Sequence, residues 1–339
     1  MHTRLPTLDC LIRWLLRLVS TSAAADNGRM LPDRTSFQTW LRSIDGFAET
    51  DVQAIEPVAG GASNITCRVT LARAGTVHLC LRLQRDRGIF EPYDVIRESH
   101  VLRCLADSSV PVPRLIAVEP GRVPLGAPFI VMEWVDAPHM GLAADADFGA
   151  FTRAVVGIHS LDWRALGLDF LGVPATPAAA LRAELDGVAG RMDAFGCGGD
   201  ELLVKTLAAL RRRIPADGTL SLCQGDINIF NYLFRAGEVA AVVDWEQARI
   251  SDRRSDIGQL IALSHLKGAP WGDADHQGFA LAYAGASGQA IEGMHWFRAR
   301  WLFELGVIYH GWVAFNGSGP WYSWPELAAL LGQALAELG

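Results

Sequence analysis

Residues 221–257, SLCQGDINIFNYLFRAGEVAAVVDWEQARISDRRSDI, decide how the rest of the chain is read. Asp226, Asn231 and Asp244 stand in this stretch in that order. Between Asn231 and Asp244, Tyr232-Leu233-Phe234 and Val239-Ala240-Ala241-Val242-Val243 are apolar runs joined by the polar turn Arg235-Ala236-Gly237-Glu238. That pattern predicts a β-hairpin. The hairpin returns Asn231 and Asp244 to one end of a ribbon, beside the loop that carries Asp226. An asparagine and an aspartate meeting there supply hard oxygen ligands of the kind Mg²⁺ takes. The remaining carboxylate, Asp226, can orient and deprotonate an attacking hydroxyl. A base, a metal clamp and little covalent chemistry are the parts that phosphoryl transfer needs. Any one of these residues alone would be read as a turn cap in a solvated loop; their order, and the Trp-Glu that follows, favour the chemistry.

The segment resembles the aminoglycoside phosphotransferase/choline kinase family of protein-kinase-like small-molecule phosphotransferases. The family pattern is His-Gly-Asp, four residues, Asn, then Asp-Trp-Glu and a later Gly-Asp-Pro with a further Asp. This chain has Gln224-Gly225-Asp226, Asn231, Asp244-Trp245-Glu246, Ser251-Asp252-Arg253 and Asp256. Gln224 replaces the His, Ser251 the Gly and Arg253 the Pro. In the family the His supports the loop by hydrogen bonding, and a Gln amide also donates and accepts. The departures bear on loop geometry and leave the proposed chemical groups in place.

With 339 residues the chain suits two lobes. Half of it is hydrophobic and 20% is charged, ample for a packed interior. A net charge of −7 argues against a nucleic-acid partner, which calls for a basic excess. Lys205 and Lys267 are the only lysines, so a phosphate-binding cation in the first half must be an arginine. Cys10, Cys67, Cys80, Cys104, Cys197 and Cys223 show no metal spacing and read as buried thiols in a reducing, cytoplasmic setting. No apolar run reaches the length of a membrane span. Near the start, Arg13 and Arg17 interrupt the apolar run and argue against a secretory signal. An amphipathic helix or a disordered leader is expected over 1–35.

Along the chain, a short helix is expected over 36–44. Gly60-Gly61-Ala62-Ser63-Asn64 then forms a turn between extended segments, where bare backbone can approach phosphates. Arg82 lies on the next strand and Glu98 on a helix over 94–105. The resemblance implies that Arg82 contacts ATP phosphates and that Glu98 pairs with it, a pairing that suits a guanidinium fork. A strand is expected to begin within 110–115 and another to run over 127–135. The latter resembles the interlobe hinge near 132–137, where the backbone of Glu133 and Val135 would meet the adenine edge. Helices are expected over 148–159, 178–195 and 201–213, with 165–177 as loop. Asp256 is expected to open a helix over 257–265 and to cap it, and another helix covers 292–310. His159 reads as a core or supporting histidine, and the aromatic-rich last third reads mainly as core.

Together these readings imply an α+β, bilobal, protein-kinase-like fold. An N-terminal ATP-binding lobe of antiparallel strands occupies 36–135, and a mainly helical catalytic and substrate-binding lobe occupies 136–339. The resemblance implies ATP- and Mg²⁺-dependent phosphorylation of a small-molecule hydroxyl, aminoglycoside-like or a hydroxylated metabolite. It gives Asp226 as base, Asn231 and Asp244 as metal ligands, and Gly60, Gly61, Ser63, Asn64, Arg82, Glu98, Glu133 and Val135 as the nucleotide site. Its nearest branch is the kinase-like domain linked to acyl-CoA dehydrogenases. The rival reading is a nucleotide-binding scaffold without turnover.

Overall fold

Period-two alternation along the early strands builds the first layer. The computed structural model describes residues 31–58, 63–73, 75–266 and 276–339. The leader up to residue 30, Gly60, Gly61 and Lys267 therefore lie outside the described residues. Strands β1 (Asp51–Pro57), β2 (Ile65–Arg73), β3 (Gly75–Leu83), β4 (Leu115–Glu119) and β5 (Phe129–Glu133) form one sheet, in the order β1-β2-β3-β5-β4. Every neighbouring pair is antiparallel. Cys67, Val69, Leu79, Leu81 and Val131 are buried with Phe37 and Leu41 of helix α1 (Arg34–Leu41). Successive strand residues face opposite sides, so Arg82, beside Ile130 in register, sits on the other face. Helix α2 (Val95–Leu105) packs there against β4 and β5.

The rest is mainly helical. Helices α3 (Phe148–His159), α4 (Pro177–Ala194), α5 (Glu201–Arg212), α6 (Arg254–Ser264), α7 (His276–Ser287), α8 (Met294–Asn316) and α9 (Trp324–Leu338) surround two short ribbons. In one ribbon β6 (Leu220–Cys223) pairs with β9 (Arg249–Asp252); in the other β7 (Tyr232–Arg235) pairs with β8 (Glu238–Val242). This is the bilobal, protein-kinase-like α+β arrangement that the sequence implied. The hairpin turn has Ala236 at φ 53° and Gly237 at φ 78°, and positive φ at both central positions matches the twist of the flanking strands. Trp296, Phe297, Trp301 and Phe303 of α8 are buried in one core, whereas Phe315 at its end is exposed. No helix of the described residues is long and apolar enough to cross a membrane. The five cysteines among them are free thiols.

Several boundaries differ from expectation for identifiable reasons. Helix α1 starts at Arg34, because Asp33 accepts a hydrogen bond from the Ser36 N–H and so caps it earlier. Pro111 and Pro113 precede β4, which begins only at Leu115. Residues 168–171 form a 3₁₀ turn within the expected loop. Helix α6 begins at Arg254, and Asp252 accepts from the Arg254 N–H at 2.9 Å. Asp256 thus lies inside the first turn, and its carboxylate serves another segment.

Candidate active site

One guanidinium organises the cleft between sheet and hairpin. Arg82 Nε lies 2.9 Å from Glu98 Oε2, and Arg82 Nη2 lies 2.7 Å from both Asp244 Oδ1 and Glu246 Oε2. Burial alone would lower the arginine's proton affinity, but Asp244, Glu98 and Glu246 together hold it well above its ordinary range. One cation faces three carboxylates, so negative charge is in surplus. Burial first, then that surplus, pushes Glu98 upward. Burial and Asp244 likewise push Glu246 up to about 7, against the pull of Arg82 and Ser63. Asn64 donates to Glu246 Oε2 at 2.7 Å and accepts from the Arg85 N–H at 3.2 Å. The residues after the glycine turn are thereby tied to the segment after β8.

The second half of the site is the loop after β6. Gly225 has φ 91°, and a Cβ there would stand 2.2 Å from the Gln247 carbonyl oxygen. Only glycine permits this approach of the two loops. Asp256 accepts from the Gln224 N–H at 2.8 Å and the Gly225 N–H at 3.2 Å, and faces His159 Nε2 at 3.2 Å. Burial works to raise Asp256, yet His159, Arg249 and the backbone donors hold it below the usual carboxylate range. Gln224 donates to the Val243 carbonyl at 2.8 Å and accepts from the Tyr232 hydroxyl at 3.0 Å. Its amide thus bridges the loop to both arms of the hairpin.

Asp226 is half-buried at the head of this loop. Its Oδ2 accepts from Asn228 at 2.9 Å and Asn231 at 3.0 Å, and its Oδ1 accepts from Gln259 at 2.7 Å. Burial and the nearby Asp244 raise its proton affinity, while these three amides oppose the rise. The Val243 N–H donates to the Asn231 carbonyl at 2.9 Å, closing the hairpin so that Asp244 follows directly. Asp244 has φ 63°, a left-handed conformation that Asp tolerates better than most residues.

The donor set fits a hard divalent cation. The Asn231 amide nitrogen is engaged by the Asp226 carbonyl and carboxylate, which turns its carboxamide oxygen the other way. That oxygen and Asp244 Oδ2 have no hydrogen-bond partner among the described residues. A carboxylate and a carboxamide oxygen beside surplus negative charge are what such a cation selects.

The hinge residues stand apart from this cluster. The Glu133 side chain faces Arg114, accepting from its backbone N–H at 3.1 Å. The Glu133 N–H donates to the Arg114 carbonyl, while the Val135 N–H has no partner among the described residues. Ser63, Asn64, Arg82, Glu98 and Asp244 converge; Asp226 and Asn231 are bonded to each other beside them. Sequence reasoning passed over Glu246, Asn228 and Gln259 as site residues. Glu246 was signalled by its place two residues after Asp244. Gln259 was signalled by its spacing of three from Asp256, which puts both on one helix face.

The sequence model of the phosphotransferase enzyme family matches residues 54–300. Acyl-CoA dehydrogenase family member 10 of Mus musculus is 24% identical over 278 residues, covering 78% of this chain and 25% of that protein. The chain thus spans about a quarter of that relative's length. A solved structure from Ralstonia eutropha, assigned as an aminoglycoside phosphotransferase, superposes with a TM-score of 0.65 at 22% identity. The match covers 91% of this chain and 97% of that one. A thermostable mutant of aminoglycoside phosphotransferase APH(4)-Ia, solved with AMP-PNP and hygromycin B, gives a TM-score of 0.53 at 15% identity. It covers 89% of this chain and 98% of its own.

Proposed function

The chain belongs to the phosphotransferase enzyme family, and from that premise we propose that it transfers the γ-phosphoryl group of ATP to a hydroxyl of a small molecule, with Mg²⁺ as cofactor. The observation that carries this reading is the pairing of a polarised base with a cation-binding edge. Asp226 is oriented by three amides, beside Asp244 and the Arg82 cluster.

In this reading Asp226 accepts the proton of the acceptor hydroxyl as its oxygen bonds to the γ-phosphorus. The bond from that phosphorus to the β–γ bridging oxygen breaks, and ADP leaves. Burial favours the role by raising the carboxylate's proton affinity. Arg82, held by Glu98, directs its guanidinium at the phosphates. Asn231 and Asp244 would hold Mg²⁺, which when bound offsets phosphate charge. Ser63 and Asn64 would stand near the same phosphates, and the Val135 N–H, which has no partner among the described residues, would meet the adenine edge. The acceptor class is an aminoglycoside-like compound or a hydroxylated metabolite.

The test is ADP release from ATP and MgCl₂ across a panel of hydroxylated compounds, with ³¹P spectra to identify the product. Acceptor-dependent ADP and a new phosphate ester support the reading. Tight Mg²⁺–ATP binding without acceptor-dependent turnover would establish the scaffold reading in its place.

A further inference from the structure

We propose that Gln259 is the positioning residue of the base, holding the Asp226 carboxylate and the adjoining backbone N–H from the buried face of α6. The inference rests on the reading of Asp226 as base and adds a residue that fixes its direction of attack.

Gln259 is 6% exposed and makes two bonds to consecutive residues of the catalytic loop. Its Oε1 accepts from the Ile227 N–H at 2.8 Å, and its Nε2 donates to Asp226 Oδ1 at 2.7 Å. The amide's orientation is not arbitrary. A backbone N–H can only donate, so it must face the amide oxygen, which turns the NH₂ toward the carboxylate. The other two donors to Asp226, Asn228 and Asn231, belong to the same loop and move with it. Among the described residues, Gln259 alone donates to the Asp226 carboxylate from another element.

That element is a firm platform. Residues 254–262 of α6 are all buried. Gly258, immediately before Gln259, packs so closely on α8 that a Cβ would stand 2.7 Å from the Phe297 Cβ and 2.9 Å from its backbone. The Trp301 indole also donates to the Ser255 carbonyl. A clamp on so rigid a support fixes the carboxylate plane, and small misplacements of a reacting group carry large rate penalties.

The test uses two variants of the full chain. Gln259→Met removes both bonds at similar volume. Gln259→Glu keeps an acceptor for the Ile227 N–H and removes the donor to Asp226. Each is expected to lower kcat about 10- to 100-fold, while KM for ATP stays within about twofold. Because Gln259 acts through Asp226, adding Gln259→Met to Asp226→Asn is expected to produce no further loss of kcat. Should Gln259→Met not fold, Gln259→Glu with the same double-variant comparison carries the test. Wild-type kcat in both single variants, or losses that multiply in the double variant, would overturn the inference. Wild-type kcat in Asp226→Asn alone would reject the base assignment itself, a separate outcome.

Discussion

Arg82 Nη2 and Asp244 Oδ1 stand 2.7 Å apart, joining β3 to the end of the β7–β8 hairpin across 162 residues of chain. The same guanidinium serves Glu98 and Glu246. Arg82 is therefore the counterion that makes three carboxylates tolerable in one cleft, and in the proposed reading it also faces the nucleotide.

A purely nucleotide-binding Arg82 would make Arg82→Ala harm nucleotide affinity more than folding. The structure predicts loss of both. Glu98 is 1% exposed, and removing one partner of a buried ion pair typically costs about 3–5 kcal/mol. Chemical denaturation of Arg82→Ala should show a loss of that order, and Glu98→Gln added to it should recover part. An unchanged midpoint in Arg82→Ala would mean that the carboxylates find water instead.

Gln224 stands where the family has histidine, and its two bonds make a sharp prediction. Gln224→Leu strands the Tyr232 hydroxyl and the Val243 carbonyl, and an unsatisfied buried group costs about 1–3 kcal/mol. Gln224→His, whose neutral ring has one donor and one acceptor, should be better tolerated. Melting temperatures of the two variants compare them directly; equal losses would show that volume, and not hydrogen bonding, governs the position.

Asn64→Ala should weaken Mg²⁺–ATP binding with little change in stability beyond its lost bonds. The Asn64–Glu246 contact ties the residue before β2 to the segment after β8, and a hydrogen bond to a charged group contributes about 1.5–3 kcal/mol. Isothermal titration with ATP and MgCl₂ measures the effect. Unchanged affinity would place Asn64 away from the phosphates.

Glu304 gives a pH signature of the helical lobe. Burial would raise its carboxyl, but Arg300 and Arg191 overcome this and hold it at about 2, against 4.5 when unperturbed. A lowered folded-state value means that stability from this group is present above pH 4.5 and is lost as pH falls towards 2. The effect is on the order of 3 kcal/mol. Glu304→Gln should flatten the stability profile across that window; a slope equal to that of the wild type would assign acid lability elsewhere.

Much of this was legible in local pattern. The hairpin and the turn at Ala236-Gly237 follow from period-two runs and turn chemistry, and the pairing of Arg82 with Glu98 follows from the family resemblance. Residues whose role arises from tertiary convergence were harder. Gln259 looks like an ordinary polar helix residue until α6 is placed beneath the catalytic loop. Asp256 is expected from the sequence to cap its own helix, yet that helix starts at Arg254 without a side-chain cap, and Asp256, inside its first turn, serves the Gln224 and Gly225 N–H groups instead. Helix α9 went unread because its aromatic start, Trp324 after Ser323, merged with the aromatic-rich region before it.

The most direct trial of the central claim is turnover by Asp226→Asn with Mg²⁺–ATP and an accepted hydroxyl compound, alongside nucleotide affinity. The account predicts unchanged ATP affinity and a kcat lower by about 10²- to 10⁴-fold, as loss of a general base entails. Turnover equal to that of the wild type would contradict it.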